Sequence, residues 1–168
     1  MPDTVRIIGG SAFADCGKLT TVNLNDNIIT IDSFAFLDCK SLVVNELPKS
    51  LTVLGISAFQ STGPDVHIST LPENLNEVKA FAFSNCANVK ISHFGGNGVS
   101  PLVEIGTQAF ENAGNGTWGA DITSIFFDAS VTKIQKDAFN NYAKRATSVY
   151  FVNSESAYNL PYYTEDVN

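Results

Sequence analysis

Apolar positions recur along this chain in a fixed frame. Six Ala-Phe pairs (Ala12-Phe13, Ala35-Phe36, Ala58-Phe59, Ala82-Phe83, Ala109-Phe110 and Ala138-Phe139) follow one another at intervals of 23, 23, 24, 27 and 29 residues. Four places before each Ala stands Ile8, Ile31, Leu54, Val78, Ile105 or Ile134, and seven places before it Val5, Ile28, Leu51, Leu75, Leu102 or Val131. A frame held through six copies at this period marks a stacked solenoid, whose units bury their faces only against one another.

Within the first unit, Leu19 to Leu24 alternates apolar and polar residues, which predicts a short strand. Stacked copies of it predict a parallel sheet along one face. The Ala-Phe segment is expected as a short helical or 3-10 turn opposite, with the six Phe rings as the spine of the core. Units two to four carry a displaced pattern, as in Leu42-x-Val44-x-x-Leu47, and a one-residue slip turns side chains to the other face, so a shifted strand or bulge is expected there. The units start near residues 5, 28, 51, 75, 102 and 131 of a single domain spanning 1–168, and 153–168 form a C-terminal cap or tail. Tyr158, Leu160, Pro161, Tyr162 and Tyr163 supply apolar surface to close the last unit, as solenoid ends require. At the other end, Pro2-Asp3-Thr4-Val5 aligns with Pro48-Lys49-Ser50-Leu51, so the chain opens partway through a repeat and end-to-end self-association is expected of it.

The run Leu47-Pro48-Lys49-Ser50-Leu51-Thr52-Val53-Leu54-Gly55-Ile56-Ser57-Ala58-Phe59, with Ala12-Phe13-Ala14-Asp15-Cys16-Gly17-Lys18-Leu19, resembles the BspA-like, or Treponema pallidum type, leucine-rich repeat. The resemblance covers about residues 1 to 152. It implies an α/β, right-handed leucine-rich-repeat solenoid. It also implies a cell-surface or secreted protein that adheres to host extracellular matrix proteins or to other cells, with no shared catalytic residues to carry over.

Composition narrows the partners. Apolar residues make up 44% of the chain and charged ones 16%, ample for a core and unlike a disordered segment. The net charge of −7 argues against nucleic acid, which needs a basic face, and against an anionic bilayer. No apolar run approaches a membrane span, and Met1-Pro2-Asp3-Thr4 lacks the basic and apolar regions of an export signal.

Candidate chemistry is sparse. Cys16, Cys39 and Cys86 share one repeat position, where parallel side chains favour buried free thiols over a disulfide. Asp15, Asp38, Ser61, Asn85, Asn112 and Asn141 form a second column, which reads as repeated turn capping rather than a calcium ladder. His67 and His93 lack any surrounding nucleophile motif. Neither a catalytic centre, a metal site nor a cofactor is expected. The least repeat-like stretch runs from Glu111 to Asp121 and holds Trp118, the one tryptophan of the chain. It is expected either as a loop presenting Trp118 as an anchor or as a segment folded back over a widened fifth unit. Alternation places Thr21, Asn23, His67, Ser69, Lys90, Ser92, Ser124, Phe126, Ser148 and Tyr150 towards solvent, with Phe126 beside Tyr150. The reading is a non-enzymatic module binding a protein or glycan through Trp118, Phe126, Tyr150, His67 and Lys90. The alternative is a structural spacer or self-assembling element of a larger surface protein.

Overall fold

The computed structural model describes residues 1–95, 102–153 and 156–159. Its strands in chain order are β1 (Ile7–Ile8), β2 (Thr30–Ile31), β3 (Val53–Leu54), β4 (Glu77–Val78), β5 (His93–Phe94), β6 (Glu104–Ile105), β7 (Ser124–Asp128), β8 (Lys133–Ile134), β9 (Ser148–Asn153) and β10 (Ser156–Asn159). One limb of each coil feeds a six-stranded parallel sheet, β1-β2-β3-β4-β6-β8. Its register places Ile8, Ile31, Leu54, Val78, Ile105 and Ile134 directly in line. All of these are buried except Ile134 on the last strand. The apolar column four places before Ala is therefore the inward face of a sheet, on a limb where the sequence pattern predicted none.

The limb expected to carry the sheet does so only late in the chain. Thr21–Val43 and Val44–Val66 are isolated bridges, and true strands begin at β5, in a four-stranded sheet ordered β10-β9-β7-β5. Early units break this limb with Pro48, Pro64 and Pro72, which cannot donate to a ladder. The fifth and sixth supply longer β-branched and aromatic runs, Ser124-Ile125-Phe126-Phe127 and Ser148-Val149-Tyr150-Phe151. The Thr21–Val43 bridge sets the eighth residue after Phe13 opposite the seventh after Phe36, a one-residue offset of the kind the displaced pattern predicts. β10 returns antiparallel onto β9 and closes that edge. Leu160, Pro161, Tyr162 and Tyr163 of the expected cap lie outside the described residues.

The Ala-Phe segments are not helical, and no helix occurs among the described residues. Ser11 and Asp15, four residues apart, both have left-handed backbone (φ 57° and 58°), and the same pair of positions is left-handed in every later coil. Alternate amides then point in different directions. Ala12, Ala14 and Cys16 donate to carbonyls three residues back, whereas Ser11, Phe13 and Asp15 donate to Ser33, Ala35 and Leu37 of the next coil. A helix would spend all these donors internally; here half of them stitch the stack together.

The six Phe rings form the predicted spine, with successive centroids at 5.3, 5.1, 5.8, 5.4 and 5.4 Å. A second stack, Phe94-Phe127-Phe151, adds width at the C-terminal end, with Phe94 edge-on to Phe110 and Phe139. The three thiols are free, and Cys39 and Cys86 are buried as expected. Cys16, in the first of the six coils, is exposed instead.

Candidate functional site

The fifth unit spends its extra residues on a loop that folds back over the third and fourth. Gly114 begins it with left-handed backbone (φ 70°), where an added Cβ would lie 2.9 Å from the Tyr142 ring. Gly116 then donates to the Ala87 carbonyl at 2.6 Å. Buried Asn88 holds the next turn, its Oδ1 accepting from the Trp118 amide at 3.2 Å while its Nδ2 donates to the Pro64 carbonyl at 2.6 Å. Held in this way, the Trp118 ring lies flat on His67, with centroids 4.5 Å apart and planes 7° apart. It remains 38% exposed. Both sequence expectations for Trp118 thus describe part of its setting, since the loop folds back and still presents the ring.

A second aromatic group lies across the strands. β5, β7 and β9 align His93, Phe126 and Tyr150, and their rings stack at 4.5 and 4.8 Å. The Phe126–Tyr150 neighbourhood is the one that strand alternation predicted. Between Trp118 and Phe126 opens a cleft of about 510 Å³, lined also by Ser69, Ser92, Ser124, Lys90 and Asp121.

Lys90 departs from expectation. Alternation assigned it to solvent, yet its side chain is 4% exposed, because the returning loop brings Asp121 over it. Its ammonium lies 3.8 Å from the Asp121 carboxylate, outside hydrogen-bond reach, and Asp121 is itself paired with Arg145. A buried ammonium loses hydration that one distant carboxylate only partly replaces.

The structure therefore places Trp118, Phe126 and Lys90 around one cleft, with His67 and Tyr150 bracing its aromatic walls. Sequence reasoning missed Asn88, which positions the loop, and Asp121. The available signal for Asn88 was an amide flanked by the apolar residues Cys86, Ala87 and Val89. Ser92 Oγ and His93 Nδ1 are 2.8 Å apart. Among the described residues, no group of three or more His, Cys, Asp or Glu side chains could hold a metal ion, and no helix is long and apolar enough to cross a membrane.

The BspA type leucine-rich repeat region matches in six copies, over residues 1–117 and 104–159. The chain belongs to that family. No curated protein matches it. Among solved structures, this BspA-type chain is similar to a leucine-rich repeat protein from Bacteroides ovatus ATCC 8483, at 20% identity and a TM-score of 0.41. The match takes in 91% of this chain and 54% of that one, so the chain spans about half the length of its structural relative.

Proposed function

We propose that these six coils act as one non-enzymatic recognition domain of a cell-surface or secreted adhesion protein, engaging its ligand at the cleft between Trp118 and Phe126. The observation that carries this reading is the pair of braced aromatic walls over a buried, under-bonded Lys90. Partly exposed aromatics beside a largely covered cation are the ingredients of an interaction hot spot. Binding is favoured over turnover because the Ser92–His93 contact joins sequence neighbours and has no carboxylate orienting the imidazole among the described contacts, unlike a working triad.

Surface plasmon resonance against immobilised extracellular-matrix proteins and a glycan array tests the reading. Saturable binding is expected, weakened at least tenfold in Trp118→Ala and Phe126→Ser with folding retained by circular dichroism. Binding that survives both substitutions would place recognition elsewhere on the molecule.

A spacer or assembly role is the second reading. It is favoured by the apolar C-terminal end, where Ile134 and Phe151 are exposed beside Phe139. Sedimentation that shows a concentration-independent monomer would count against it.

A further inference from the structure

Resting on the cleft reading, we infer that its ligand is a neutral saccharide, one pyranose ring of which lies on the free face of Trp118 with the edge of Phe126 beside it. A pyranose has an apolar face of C–H groups and a rim of hydroxyls, each able both to donate and to accept. The cleft matches both surfaces. Trp118 offers one free ring face, its other face backed by His67, while Phe126, clamped face to face between His93 and Tyr150, offers its ring edge. A ring already held in a fixed plane loses little side-chain entropy when a sugar lies on it. The floor supplies a donor-only group in Lys90, an acceptor-only group in Asp121 and two-way hydroxyls in Ser69, Ser92 and Ser124.

The Lys90–Asp121 gap is the most specific feature. At 3.8 Å the two groups do not hydrogen-bond each other, so adjacent hydroxyls on one ring can accept from Lys90 and donate to Asp121 together. That adds hydrogen bonds to an ammonium whose side chain is 4% exposed. A carboxylate-bearing sugar would have to share Lys90 with Asp121, which already lies 3.8 Å from it and is itself paired with Arg145, whereas a neutral ring takes both groups as they stand. An extended peptide adding itself to the sheet beyond β9 would pair with the outer strand β10, none of whose residues lines the cleft. Nucleic acid would require several cations where the cleft lining offers Lys90 alone. The volume of about 510 Å³ lies within the range of small-ligand pockets.

Trp118, being the only tryptophan, makes its fluorescence a direct report on the cleft. The full chain is titrated with methyl glucoside, methyl galactoside, methyl mannoside and their neutral oligosaccharides, beside galacturonate oligosaccharides. A saturable emission change with at least one neutral sugar is expected. Lys90→Met and Trp118→Ala should each weaken binding tenfold or more, read for the latter by calorimetry, while Lys136→Met, outside the cleft, leaves it unchanged. Preference for the galacturonate series would overturn the neutral-ring assignment. Neutral-sugar binding undiminished in Lys90→Met would overturn the Lys90–Asp121 contact on which the inference rests. If no sugar binds but a matrix protein does, and Trp118→Ala abolishes that, the saccharide inference fails while the recognition reading stands. If nothing binds at the cleft, both fail.

Discussion

Left-handed backbone decides the identity of several residues that look interchangeable in the sequence. Asp15, Asp38, Ser61, Asn85, Asn112 and Asn141 all sit at φ between 55° and 61°. Asp and Asn tolerate that region far better than branched or bulky side chains. At the C-terminal end the column also bonds laterally, Asn112 Nδ2 to Asn85 Oδ1 and Asn141 Nδ2 to Asn112 Oδ1, each at 3.1 Å. Buried protic groups act at the same scale. Burial pushes the Cys86 thiol up to about 11 from 9.0 and drives the Tyr142 hydroxyl upward too, although the Ile91 backbone hydrogen bond opposes the latter. Both folded pKa values exceed the unfolded ones, so the unfolded chain sheds these protons first and unfolding is favoured as pH rises. The associated stability is intact below about pH 9 and is lost progressively through pH 11 and beyond. Urea midpoints should therefore fall above pH 9, by about 1.4 kcal/mol per pH unit for each group between its two pKa values. Tyr142→Phe should be less stable at neutral pH, since Ile91 loses its partner for both N–H and C=O, yet decline less steeply above pH 10. Equal slopes in the two proteins would show that Tyr142 does not contribute. The Asx column was legible as turn chemistry, whereas Tyr142 was not, because its partner lies 51 residues away.

Among the elements, the loop from Gly114 to Asp121 does most to turn a regular coil into a site. Its length and departure from the repeat were visible in the sequence, and so was Trp118. Its destination was not, because nothing local specifies that Trp118 meets His67 or that Asp121 covers Lys90. Asn88 carries that information through two hydrogen bonds from a buried position. Asn88→Ala leaves the Trp118 amide and the Pro64 carbonyl without this partner, at a cost of about 1–3 kcal/mol for buried polar groups. The expected readout is local: Trp118 emission shifts to the red and acrylamide quenches it more readily, while far-ultraviolet circular dichroism is unchanged. Unaltered quenching would mean that stacking on His67 is enough to hold the ring. The short strands were misplaced for a related reason. Two-residue strands such as Glu77–Val78 have too few positions to show alternation, and only the register across six coils reveals them as a sheet.

For the molecule as a whole, the fold follows from repetition, and repetition is what the sequence displayed most openly. The Phe spine, the inward apolar columns and the coil count could all be read from spacing alone; the non-helical course of the Ala-Phe turns could not, since apolar spacing does not report the sign of φ. Repetition also sets how damage should spread. Outside the Trp118–His67, Phe94–Phe139 and Tyr142–Ile91 contacts, which skip a coil, the stack is held by adjacent coils, so its stability is close to a chain of nearest-neighbour terms. Phe59 is fully buried between Phe36 and Phe83, whereas Phe13 is half-buried and stacks on Phe36 alone. Phe59→Ala should cost about 3–5 kcal/mol, as for a large core truncation. It should also divide the stack, so that urea unfolding monitored at Trp118 separates from unfolding monitored by backbone circular dichroism. Phe13→Ala should cost markedly less and leave the Trp118 transition where it was, because its effect stays in the first coil. Equal losses with coincident transitions would show instead that the six coils unfold as one indivisible unit. Interface energy between coils would then exceed what any single coil can lose.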